Sequence, residues 1–157
     1  MLAVVAVAAP VSADEPARLA RLHRMSLGVE IVYPLPGLAA ADLGARVARA
    51  LRGAAPSLTI EQGLSDRLRV SVTVRPVNAT ALRGFWLPFS GTYGIGAVRL
   101  AVERPMMLSG TAQAFPAPVW QTDRIVGIAW SETDREVGRL VDEMVAEFVE
   151  ARRAVTP

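Results

Sequence analysis

The chain has 157 residues, a formal net charge of +2, 52% hydrophobic and 20% charged residues, values that suit one domain with a real core and exclude a disordered chain or a coiled coil. It has no Cys and a single His, His23, which excludes a disulfide framework, a thiolate metal site, a cysteine nucleophile and a His-rich metal cluster. All 17 basic residues are Arg, so the pI near 9.9 reflects a small excess of a very strong base rather than a strong field, and nucleic-acid binding gains no support.

Met1 to Ala13 is an uncharged apolar run ending in Val11-Ser12-Ala13, small residues of the kind a signal peptidase reads. A helix over Met1–Val11 reaches only about 16 Å, against about 30 Å of bilayer core, so no transmembrane anchor is expected. Residues 1–13 therefore read as a signal peptide cleaved after Ala13, although no basic residue precedes the apolar stretch; a buried N-terminal strand is the alternative. The mature chain is then expected in the periplasm or secreted, and the Arg-for-Lys and Ala-rich usage points to a high-GC bacterium.

Residues 14–25 read as an N-terminal extension. Arg18, Arg21 and Arg24 recur at helical spacing with Leu19 and Leu22 on one side, a pattern that could rest on an anionic membrane surface but reads first as a partly ordered lead into the fold. His23 is expected to be exposed.

The folded domain is expected over 26–157. Leu27, Val29, Ile31 and Tyr33 alternate as a strand that Pro34 and Pro36 end. Leu43, Val47, Ala50 and Leu51 predict a helix, with Asp42 as its cap, Gly53 as its stop, and Arg46, Arg49 and Arg52 on its solvated side. Leu58 to Gln62 predicts a short strand and Gly63 to Asp66 a turn. Leu68, Val70, Val72 and Val74 then alternate with Arg67, Arg69, Ser71, Thr73 and Arg75, which predicts a sheet covered on one face only. The arginine stripe on the wet face could hold an anion, but solvated strand polarity is the safer reading.

Asn78-Ala79-Thr80 fits a glycosylation triplet, yet Asn78 reads as a turn residue. Phe85, Trp86, Phe89 and Tyr93 crowd a Gly- and Pro-rich segment that leads into a strand or bent pair ending near residue 104. They are the candidate binding residues, either as a ligand platform or as a plug at the end of the sheet. Gly91, Gly94 and Gly96 lack the lysine and hydroxyl of a phosphate loop. Pro105-Met106-Met107 reads as a turn. Strands are expected over Ala112–Gln121 and Ile125–Trp130, flanking a turn at Thr122-Asp123. Met25, Met106 and Met107 are too few and too irregular for a copper site and read as packing.

The closing helix is the clearest element. Thr133 and Glu136 have capping-box spacing, and Val137, Leu140, Val141, Met144, Val145, Phe148 and Val149 form an apolar stripe. Arg152 and Arg153 suit its C-terminus. Glu143 and Glu147 share a face and could pass for an acid pair or a metal clamp, but read first as ordinary exposed helix acids.

The expected fold is α+β: an antiparallel or mixed sheet of about four to six strands, two helices packed on one face, in the order β-α-β-β-β-(β)-α. The Gly-Leu-x-x-x-Asp-Leu motif at Gly37–Leu43, Leu51-Arg52, the alternating Leu68–Val74, Val119-Trp120 and the closing run Leu140–Phe148 together resemble a group of small secreted bacterial proteins of unknown function, over roughly 26–157. The layout is also similar to small modules of bacterial envelope assemblies, the N-terminal domain of the Tol translocation protein among them. The resemblance implies an envelope module and assigns no catalytic residue, since that group has none to carry over.

A lone His supports no Ser–His–Asp set, and no metal or cofactor is expected. The leading expectation is a non-enzymatic module that binds an envelope protein or component, without nucleic acid. The alternative is a small-ligand binder or a carboxylate-dependent hydrolase using Glu103 or Asp123, whose acids would have to lie about 5–10 Å apart.

Overall fold

The computed structural model describes residues 19, 21–78, 91–107, 110 and 112–155. In chain order the elements are β1 (Arg24–Ile31), α1 (Ala40–Ala54), β2 (Thr59–Ile60), β3 (Arg67–Val72), β4 (Arg75–Asn78), β5 (Thr92–Met107), β6 (Ala114–Ala129), a 3-10 turn (Trp130–Glu132) and α2 (Thr133–Arg153). The fold is α+β, a mixed sheet of six strands with two helices.

Strand β1 runs parallel to β2 on one side and to β3 on the other, and α1 supplies the crossover that a parallel pair requires. Strands β3 and β4 lie end to end along one side of β5, which β6 flanks antiparallel on the other. Gly96 explains the break between β3 and β4: a Cβ there would sit 2.7 Å from the Val74 Cα, so only a glycine lets the chain cross so closely.

Alternation places one side chain in two towards the helices. Leu27, Leu68 and Val102 form one row across the sheet, Val29, Val70 and Leu100 the next, and Ile31, Val72 and Val98 a third. Above them lie Leu43, Val47 and Leu51 of α1 and the whole expected stripe of α2, all buried. The helices touch each other, and Arg46 of α1 donates to both oxygens of Asp142 of α2 at 2.9 and 2.6 Å. Two helices on one face follow from the pattern: each has a single apolar stripe, and the sheet has one apolar face.

Several local expectations are corrected. Met106 and Met107 are not a turn but the end of β5, and Thr122-Asp123 is not a turn but the middle of the continuous β6. Polar residues survive mid-strand there because each is satisfied: the Thr122 hydroxyl donates to Glu147, and Asp123 accepts from Arg99 opposite. Asn78 ends β4 rather than making a turn. The cap of α1 is Ala39, with Asp42 only in the first turn. No capping box forms at Thr133, because the 3-10 turn feeds the helix directly and the Thr133 hydroxyl donates to the Ala129 carbonyl at 3.3 Å. Glu136 turns instead to Arg139.

The region before the first strand also differs from its expectation. Leu19 and Leu22 are buried in the core, and β1 starts at Arg24 rather than Ser26. Their apolar side is used inside the fold, while Arg21, His23 and Arg24 are exposed. Among the described residues no helix is long and apolar enough to cross a membrane.

Candidate binding surface

Of the four candidate residues, Phe85, Trp86 and Phe89 lie outside the described residues. Tyr93 sits near the start of β5, half-buried, with Val77 and Ala129 as cross-strand neighbours. Asn78 pairs with Thr92, so the two ends of the aromatic segment meet at that edge of the sheet.

The uncovered sheet face carries a charge ladder. Arg69 donates to Glu30 at 2.5 Å and lies 3.5 Å from Glu103, while Arg99 donates to Asp123 at 2.7 Å. The hydrogen bond to Glu30, with smaller help from both acids' charges, holds the Arg69 pKa above its ordinary value. Arg67 lies flat over Gly28. Glu30, Glu103 and Asp123 thus stand among Arg67, Arg69 and Arg99, with exposed Arg75 further along the same face. A depression on it, lined by Ser71, Thr73, Ala97, Arg99 and Asp123, holds about 200 Å3, smaller than the ~300 Å3 at which ligand pockets begin.

The carboxylates are not brought together as an acid pair. Asp123 stands opposite Arg99, and Arg99 and Glu103 are about 13 Å apart along β5 at the rise of a strand. Glu143 is held by Arg139, whereas Glu147 is held by Arg124 and accepts from Thr122. Among the described residues no group of three His, Asp or Glu could hold a metal ion. Met25 is in the core, while Met106 and Met107 are exposed, so these methionines do not converge.

Two further features were not foreseen. The first is a staple at the C-terminal ends of both helices. Arg152, only 6% exposed, donates from Nε to the Leu22 carbonyl at 3.1 Å and from Nη1 to the Ser57 hydroxyl at 3.2 Å. Arg153 donates to the Ala54 carbonyl at 2.7 Å, satisfying an open carbonyl at the end of α1. A hollow of about 280 Å3 beside them is lined by these residues and Ala55, Pro56 and Val149. Its guanidinium groups already serve backbone carbonyls.

The second is an arm. Strand β3 pairs with β5 only as far as Glu103, and beyond it Arg104–Met107 pairs with Ala114–Ala117 alone. A bulge at Val102/Glu103 marks where this ribbon leaves the sheet. Met106, Met107 and Phe115 on it are 39%, 62% and 40% exposed. At its base Arg104 is tied to Asp66 at 2.9 Å. From Pro105 to Thr122 the sequence has no Asp, Glu, Lys or Arg. That uncharged run was the available signal, and Pro105 made its first residues read as a turn.

No family model matches the chain, and no curated protein matches it. Among solved structures it is similar to the PelC dodecamer of Paraburkholderia phytofirmans, at 12% identity and a TM-score of 0.46, over 99% of this chain and 98% of that one. A point variant of the same dodecamer gives 14% identity and a TM-score of 0.45, over 96% and 95%. Likeness at this level establishes neither a family nor a shared activity.

Proposed function

We propose that this chain is an exported, non-enzymatic module of the bacterial envelope, released from residues 1–13, that works by binding an envelope protein or component. The observation that carries the reading is the arm, which holds Met106, Met107 and Phe115 in water within a segment free of charge. A cluster of exposed large apolar side chains costs solubility and is kept where it is covered in use. The open sheet face supports the same reading, since Glu30, Glu103 and Asp123 are spent on arginines rather than poised in a cleft.

The test is photo-crosslinking in the native host, with the reactive residue placed at Met107 and, as control, at the exposed Gln62. Position 107 is expected to crosslink to an envelope component and position 62 to give none. Equal yields, or none from 107, refute the reading.

A further inference from the structure

We infer that the arm-bearing end of the molecule docks on an anionic lipid surface, with Met106, Met107 and Phe115 entering the interface; the inference rests on the envelope-binding reading above and names the component bound.

The arm reaches about 13 Å past Glu103, given the rise of a strand, which is enough for its tip to enter the headgroup region by the ~5–10 Å of an interfacial element. It is poorly built to receive another strand. Pro105 faces Pro116, and Pro118 follows on the edge strand, so the ladder lacks backbone donors where an added strand would need them. Binding must then come from side chains. Two methionines and a phenylalanine, flexible and without polar groups, suit a fluid apolar phase.

Charge decides the occupant. The arm is rooted at the end of the fold where β1 begins and both helices finish. Arg104 holds Asp66, whose carbonyl accepts from the Ser26 amide; Arg24 holds Glu61; the His23 carbonyl accepts from Thr59; and Arg152 ties Leu22 to Ser57. With Arg24–Glu61 and Arg104–Asp66 paired, exposed Arg21, Arg52 and Arg153 remain against Glu150 among the described residues at this end. A chargeless tip beneath a positive collar fits an anionic bilayer, where insertion and headgroup attraction add.

The experiment is cosedimentation of the chain lacking residues 1–13 with vesicles of phosphatidylcholine, alone or mixed with phosphatidylglycerol. The mixed vesicles are expected to bind at least tenfold more protein, and less of it at high salt. Met107→Glu with Phe115→Glu is expected to lower binding at least tenfold with unchanged circular dichroism and melting, and Met107→Ser alone to lower it severalfold. Arg21→Ala with Arg52→Ala is expected to reduce the preference for anionic vesicles. Wild-type sedimentation of the double Glu variant, or no vesicle binding by the wild type, overturns the inference. No vesicle binding with a retained crosslink from position 107 to a protein sinks the lipid surface and leaves the binding-module reading standing. Loss of both sinks both.

Discussion

Replacing Phe148 by Ala tests which face of α2 is buried. Phe148 is fully buried, and its ring lies 5.4 Å from that of Trp120 at an interplanar angle of 57°, a tilted aromatic contact. Removing it leaves a cavity between α2 and β6 beside Trp120. Phe→Ala in packed cores costs about 3–5 kcal/mol, and the lost ring pair falls within that loss. At about 2–4 °C per kcal/mol for a chain of this size, the melting point should drop by roughly 6–20 °C. Glu150, exposed and only two positions on, should tolerate Ala within about 0.5 kcal/mol. Guanidinium titration followed by far-ultraviolet circular dichroism measures both, with a lower midpoint and an unchanged slope for Phe148→Ala. Equal losses at the two positions, or less than about 1 kcal/mol at Phe148, would refute the assignment of the buried face.

Arg152→Met keeps the bulk but removes the bonds to Leu22 and Ser57; a loss of about 2–4 kcal/mol is expected from the carbonyl left unpaired near the core, with faster hydrogen exchange at Leu22, while Arg153→Ala should cost less than half as much. Gly96→Ala drives a Cβ into backbone and should cost about 1–3 kcal/mol, whereas Gly28→Ala meets only the movable end of Arg67 and should cost little; urea midpoints separate the two. Glu136 has its pKa lowered, chiefly by the hydrogen bond from Arg139, so the pair's stabilisation is fully present above the unfolded value near ~4.3 and fades as pH falls through the lowered folded value. Glu136→Gln should therefore flatten the acid limb of a stability–pH profile while leaving the neutral-to-basic limb unchanged; an unaltered acid limb would mean the pair contributes nothing.

Elements whose side chains obey one period were legible in the sequence. The α2 stripe and the Leu68–Val74 alternation emerge as expected because one burial direction governs every residue in them. Legibility fails where long-range partners decide. Thr122 and Asp123 look like a turn until Glu147 and Arg99, distant in sequence, satisfy them. Met106 and Met107 break the alternation because both faces of the arm meet water, which removes the contrast that alternation records. Arg152 looked like a helix-end cation until burial and the Leu22 carbonyl made it the bond that fastens the N-terminal segment.

The same argument locates where this molecule can act. A one-faced sheet spends its apolar side on two helices, and here its other side is spent as well, each acid of the ladder meeting an arginine across neighbouring strands. The outer side of α2 is likewise laced, with Arg139 between Glu136 and Glu143. Surfaces whose charges and dipoles are internally satisfied gain little by exchanging water for a partner, since each pair must be desolvated and nothing new is gained. Two ends of the sheet differ from these laced faces. One end is the meeting point of the aromatic segment, where Asn78 and Thr92 pair; the other is the arm with its collar of arginines. Among the described residues the arm sets exposed Met106, Met107 and Phe115 within a run free of charged side chains, so desolvating it costs little for the surface it buries.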